Sequence, residues 1–146
     1  MNTLSIQFQT QIQPATALMA LVGNTPLLFL SRIGQSLPAG VRLAAKAEWF
    51  NPGGSIKDRP AAQILQSALE AGLLEGKTLL DSSSGNMGIA YATYTAAMGI
   101  PLHLVVPANV SPARIAILRA HGVELTLSDP LNGSDGAQQI AEEMAA

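Results

Sequence analysis

No cysteine occurs in the 146 residues. Disulfides, thiolate nucleophiles and zinc–thiolate sites are therefore excluded. Charge is scarce as well: charged residues make up 12% of the chain and the net charge is −2. That balance offers no footing for nucleic acid or an acidic membrane surface. No Lys or Arg precedes Arg32, so the basic opening of a secretion signal is missing. An unbroken apolar run is missing too. The most apolar long window, Ile89 to Val110, is interrupted by Gly99, Pro101 and Pro107 and contains His103, which reads as helix, turn and strand and not as a membrane span. Together these absences describe a cytoplasmic protein that binds neither nucleic acid nor membrane. What the chain does have is apolar surface, at 48% hydrophobic residues, which implies faces meant to be covered by something else. Its length suits one domain of roughly 100–200 residues, enough to bury about two-thirds of the unfolded surface.

Periodicity organises the rest. Residues 1 to about 16 are rich in Gln and Thr and read as a loose arm or a short edge strand. Gly23-Asn24-Thr25-Pro26 is a turn signal before the apolar run Leu27 to Leu30, a short strand. Val41 to Phe50 alternates, with Val41, Leu43, Ala45 and Ala47 on one face, and predicts a second strand. Three helix-and-strand repeats follow. Ala61, Ile64, Leu65 and Ala68 fall at helical spacing before Gly72, and Thr78 to Asp81 is a strand. Asn86 to Met98 is a helix stopped by Gly99 and Pro101, leading to a strand over Leu102 to Val106. Ser111 and Pro112 are an N-cap and first-turn pair, that helix ends at Gly122, and Val123 to Leu127 is the next strand. Ser134 caps a last helix with the apolar face Ala137, Ile140, Ala141 and Met144. Strands alternating with helices predict a parallel α/β sheet covered on both faces.

Two stretches carry chemistry. In Asn51-Pro52-Gly53-Gly54-Ser55-Ile56-Lys57-Asp58-Arg59, a glycine turn runs into a helix start, with Ser55 as the N-cap. Lys57 then stands at a helix N-terminus, where the dipole disfavours its charge and burial would disfavour it further. A lysine pushed toward neutrality attacks carbonyl carbon; on position alone an exposed lysine beside Asp58 and Arg59 fits better. Ser82-Ser83-Ser84-Gly85-Asn86 follows a strand and opens a helix. Hydroxyls and free N–H groups there suit an anion, and an ordinary serine cap suits the pattern as well. Ala71 to Thr78 imitates a nucleotide-binding loop but fails on glycine spacing and on its place between helix and strand. His103 and His121 have no partner at metal-ligand spacing and read as core and capping residues. Trp49 and Phe50 are expected to pack beneath the lysine turn.

Three stretches in register resemble one family, the cysteine synthase and cystathionine β-synthase group of pyridoxal-phosphate enzymes (fold type II), with the closest likeness to the cysteine synthases. Asn51 to Arg59 is similar to its cofactor-lysine motif, Gly23-Asn24-Thr25-Pro26-Leu27 to its opening motif, and Ser83-Ser84-Gly85-Asn86-Met87-Gly88 to its substrate loop. The resemblance runs from about Leu21 to the last residue. It implies a three-layer parallel α/β sheet with helices on both faces. Residues 1–50 would begin a larger cofactor domain and residues 51–146 would form a smaller, incomplete one, making the chain the first part of a longer protein. Lys57 would hold pyridoxal 5'-phosphate and then move the Cα proton. Asn86 would hydrogen-bond the cofactor's phenolic oxygen, and Ser83, Ser84, Gly85, Asn86 and Met87 would bind the α-carboxylate of an amino-acid substrate. Met87 stands where the family usually has Thr, so one hydroxyl contact is lost and a backbone N–H remains. The implied reaction is β-replacement on an O-activated serine with a sulfur donor, giving cysteine, in a homodimer. A cystathionine β-synthase, a serine or threonine dehydratase, or a non-catalytic fragment are the alternatives. The family's phosphate-cradling loop and its partner for the pyridine nitrogen have no counterpart here.

Overall fold

The computed structural model describes residues 14–146. The arm or edge strand expected at the start lies outside the described residues up to residue 13, and Pro14–Ala17 forms one helical turn, α1. The chain then builds two separate sheets. Leu27–Phe29 (β1) and Ala44–Lys46 (β2) pair antiparallel, Leu28 opposite Ala45. Backbone bonds from Leu30 N to Leu43 O and from Ala47 N to Pro26 O, each 2.9 Å, extend the ribbon at its ends. The second strand is much shorter than the Val41 to Phe50 expected from alternation. Ala47 leaves the extended region (φ −80°, ψ 65°), and Glu48–Phe50 coil into a 3₁₀ turn. Trp49 and Phe50 do not pack beneath the lysine turn: they stand 58% and 63% exposed, 6.0 Å apart between ring centres.

The main sheet is parallel, in the order Leu79–Asp81 (β3), Leu102–Pro107 (β4), Glu124–Ser128 (β5). Its two faces can be read from β4, whose alternate side chains point opposite ways. Leu102, Leu104 and Val106 enter a core with residues of Asp58–Glu70 (α2), Asn86–Met98 (α3) and Pro112–Ala120 (α4). Val105 enters a second core with Ala137 and Ala141 of Gly133–Ala145 (α5). Helices therefore cover both faces in three layers, as the alternation predicted. α3 is buried nearly all round, with Ala90, Tyr91, Ala92, Tyr94 and Thr95 inside, as expected of a helix with no polar stripe. It stops where predicted, at a left-handed Gly99 (φ 68°) that costs glycine nothing sterically.

Other boundaries moved. Ser111 caps α4 through Arg114 N as expected. Ser134 does not cap α5. That helix begins at Gly133 behind a 3₁₀ turn, Pro130–Asn132, which Asp129 caps by accepting from Leu131 N at 2.9 Å. On α2 the buried stripe is Asp58, Ala61 and Leu65, while Ile64, expected on it, is 46% exposed. The ribbon β1–β2 is the apolar region left bare, with Leu27, Leu28 and Phe29 all exposed.

Candidate active site

The lysine turn is fastened from three sides. Its first residue, Asn51, is buried and accepts from Gly23 N at 2.9 Å, while its amide donates to Glu48 O, Glu48 Oε2 and Ser55 O. Glu48 takes two bonds from the Arg59 guanidinium, both at 2.8 Å, and one from Thr25 Oγ1 at 2.7 Å. The Lys46 ammonium donates to the Thr25 carbonyl. Arg59 chiefly, then Thr25, hold the Glu48 carboxyl down at about 2, and Glu48 in turn raises Arg59. The opening motif and the lysine motif, some 30 residues apart, are thus one hydrogen-bonded unit.

Asp58 is the third fastening. It has no exposed surface, yet it accepts from Gly53 N at 2.5 Å, Ser55 N at 3.0 Å and Tyr94 Oη at 2.5 Å. A buried carboxylate with three donors is strongly anchored. Burial first, and Asp58 second, push the Tyr94 hydroxyl well above its usual range. The two glycines serve different ends. A Cβ on Gly53 would lie 2.6 Å from Asp58 Oδ1, whereas Gly54 has open space but a φ of +79°. Ser55 does not cap the helix, which has no side-chain cap; the Asp58 side chain instead reaches back to two N–H groups ahead of it. The N-cap is Lys57, and Ser55 Oγ accepts from Lys57 N at 3.1 Å. Of the two readings of Lys57, the structure gives the exposed one. It is exposed, and its amine has no hydrogen-bond or ion-pair partner among the described residues.

The second stretch is built differently. After β3, Asp81 Oδ1 accepts from Ser82 N at 2.5 Å, and Ser83 Oγ accepts from Gly88 N at 3.1 Å. A Cβ on Gly88 would fall 2.1 Å from the Ser83 carbonyl oxygen and 3.1 Å from Leu104, so only glycine lets the loop fold against the head of α3. Ile89 N closes the first turn on Gly85 O. The N–H groups of Ser84, Gly85, Asn86 and Met87 find no acceptor among the described residues. Asn86 is exposed, while Met87 is half-buried against the core beneath α3. From α4, Arg114 Nη1 donates to Ser84 O at 3.2 Å.

The two stretches meet through α3. Its N-terminus carries Asn86, and eight residues on Tyr94 grips Asp58 next to Lys57, about 12 Å along the helix at 1.5 Å per residue. Reading the sequence missed Asp58 as the anchor, although it lies three residues before Ala61 and seven before Leu65, on the helical stripe. Glu48, Tyr94 and Arg114 gave no local signal. His103 Nε2 lies 2.8 Å from Thr126 Oγ1, away from both stretches. No group of three or more metal-ligating side chains occurs among the described residues, and no helix there is long and apolar enough to cross a membrane.

The model of one protein family, described as pyridoxal-phosphate dependent enzyme, matches residues 18–146. A cysteine synthase of Aquifex aeolicus is 48% identical over 129 residues, 87% of this chain and 39% of that protein. The crystal structure of a cysteine synthase from Entamoeba histolytica superposes with a TM-score of 0.83 at 30% identity, over 99% of this chain and 42% of that one. An O-acetylserine dependent cystathionine beta-synthase from Helicobacter pylori gives 0.79 at 29% identity, over 89% and 43%. The chain spans about two-fifths of the length of these relatives.

Proposed function

The chain belongs to the family of pyridoxal-phosphate dependent enzymes, with the fold type II architecture, and from that premise we propose that it carries the lysine and the amino-acid-binding loop of a cysteine synthase-like β-replacement. The substrate is an O-activated serine, the second reactant a sulfur donor and the product cysteine. One observation carries this reading: an unpartnered lysine amine on a turn held by Asn51, Asp58 and Ser55, and unpartnered N–H groups at the head of a helix clamped to that turn.

The described residues fit part of the cofactor. Lys57 offers an amine held by no neighbour, and Asn86 an exposed amide at a helix start. When bound, pyridoxal phosphate supplies an electron sink for the substrate's Cα. Lys57 would hold the cofactor and, with its amine free, would take the Cα proton. Asn86 would donate to the cofactor's phenolic oxygen. The substrate carboxylate lies against Ser83, Ser84 and the N–H groups of Gly85, Asn86 and Met87, where the helix dipole favours negative charge. Met87 contributes its N–H alone, since its side chain packs inward. The pair left at Cα would expel the leaving group from Cβ; the sulfur nucleophile would then add to Cβ, and the Lys57 ammonium would return the proton to Cα.

The domain reading belongs to the same proposal: residues 1–50 to a larger cofactor domain, residues 51–146 to a smaller one. The separation of ribbon and main sheet and the bare apolar faces of β1 support it. A homodimer in the cytoplasm completes the proposal.

A chimera tests it. Residues 1–146 are joined to the remaining C-terminal part of the Aquifex aeolicus relative, loaded with cofactor, and given O-acetyl-L-serine and sulfide, or serine alone. Cysteine formation supports the proposal. Pyruvate from serine without cysteine would point to a dehydratase, and neither product from a chimera that retains cofactor would overturn the reading.

A further inference from the structure

The loop before α3 contains a peptide unit that could face either way. Between Ser84 and Gly85 the plane can rotate about two bonds, Ser84 ψ and Gly85 φ. Gly85 lacks a Cβ and reaches positive φ at no steric cost, so a flip there is cheap. The structure holds one orientation, with Gly85 at φ −92° and the Ser84 carbonyl bonded to Arg114 Nη1 at 3.2 Å. Because the trans peptide is planar, its N–H points opposite to its C=O. The Gly85 N–H therefore points away from Arg114, and it has no acceptor among the described residues.

We infer that Arg114 is a positioning residue, which by holding the Ser84 carbonyl keeps the Gly85 N–H turned toward the substrate carboxylate. The inference rests on the carboxylate reading of the loop. Three features of the chain suit the role. Arg114 is fixed at its own helix start by Ser111, whose hydroxyl accepts from Arg114 N at 3.4 Å. A Cβ added to Gly85 would sit 3.9 Å from Arg114 Nη1, so the guanidinium lies over the hinge itself. Ser83, the residue before the hinge unit, is held by Gly88 N, which confines the freedom to the Ser84–Gly85 plane. Without Arg114 the plane samples both orientations, and in the flipped one a carbonyl oxygen faces the anion.

The test uses the ¹⁵N-labelled chain and three variants: Arg114→Met, which keeps length without a donor; Arg114→Lys, which keeps donor and charge; and Arg114→Gln, which keeps a donor without charge. Residual dipolar couplings report the direction of each N–H in the absence of ligand. Arg114→Met is expected to shift or average the Gly85 coupling and leave Asn86 and Met87 unchanged, while Lys, and in part Gln, preserve it. Titration with acetate, a bare carboxylate, should then show affinity about tenfold weaker in Arg114→Met, in line with losing one hydrogen bond to a charged group. An unchanged Gly85 coupling in Arg114→Met overturns the inference whatever acetate does, because a role through charge alone does not move that N–H. A changed coupling with unchanged acetate affinity overturns it as well. If acetate perturbs no loop amide even in the parent chain, the carboxylate reading fails, and the inference with it.

Discussion

The two helix heads at the centre of this molecule are built on opposite plans. At the head of α2, the turn's N–H groups are claimed by its own side chains: Asp58 takes those of Gly53 and Ser55, and Ser55 Oγ takes that of Lys57. What remains free among the described residues is a cationic side chain and the single N–H of Ile56. At the head of α3, side chains take little, Ser83 Oγ holding only Gly88 N, and what remains free is a row of N–H groups. A satisfied backbone is rigid and can aim a reactive group; an unsatisfied one is a ready acceptor of an anion. One region is suited to covalent chemistry, the other to reversible binding, and the Asp58–Tyr94 bond joins them.

The largest break is expected at Lys57. Incubation with pyridoxal phosphate, borohydride reduction and peptide mapping should place the label on Lys57, and Lys57→Ala should remove it entirely. Lys46, occupied by the Thr25 carbonyl, should stay bare. Label on Lys46 or Lys77 with Lys57 unmodified would mean the satisfied turn aims nothing.

Next comes stability. Asp58→Ala strands one buried and two part-buried donors at once and should cost about 3–5 kcal/mol. Ser83→Ala, in the loosely held loop, should cost about 1 kcal/mol, the usual worth of a capping hydroxyl. Urea denaturation measures both. Equal losses would erase the contrast between the two heads.

Much of this contrast was legible in sequence, but only where its cause is local. Gly85, Gly99 and Pro101 bound α3, and Ser111-Pro112 starts α4, because caps and breakers act within a few residues. The α2 head was misjudged because its partners are remote. Tyr94 lies 36 residues from Asp58, and Thr25 lies 23 from Glu48. A nearby serine looked like the cap, when the tertiary fold had buried the aspartate beside it and turned that carboxylate back onto the N–H groups of Gly53 and Ser55. Trp49 and Phe50 misled for the opposite reason: large apolar side chains suggest a core, but here they lie on a turn that no described element covers.

A smaller effect is expected with pH. Glu48 takes up a proton near 4.5 in an unfolded chain and near 2 in the folded one. Between those values the unfolded chain holds the extra proton, so falling pH favours unfolding. The contribution is fully present above about pH 4.5 and lost by about pH 2. At the other end, the folded Tyr94 keeps its proton past the usual 10, so rising pH above 10 favours the unfolded chain, which ionises first. Glu48→Gln should flatten the acid limb of stability against pH and Tyr94→Phe the alkaline limb. Unchanged limbs in both variants would mean the turn is held by packing and not by these bonds.

The smallest effect is expected at Met87, on the head of α3. If its side chain faced the bound carboxylate, Met87→Thr would add a hydroxyl and tighten binding by roughly 1.5–3 kcal/mol. The structure places the thioether against the core beneath α3, half-buried. Thr there removes apolar volume and puts a hydroxyl where no partner waits. A fully buried Met→Ala change costs about 2–5 kcal/mol, and a half-buried Met→Thr should cost about 1–2 kcal/mol on that scale. On the proposed carboxylate reading the anion would still meet the residue 87 N–H, so acetate affinity should change by less than about tenfold. Thermal melting and amide titration read the two quantities separately. A variant as stable as the parent that binds acetate more than tenfold tighter would show the side chain turned outward to the anion, and the α3 head would then be a side-chain site as well as a backbone one.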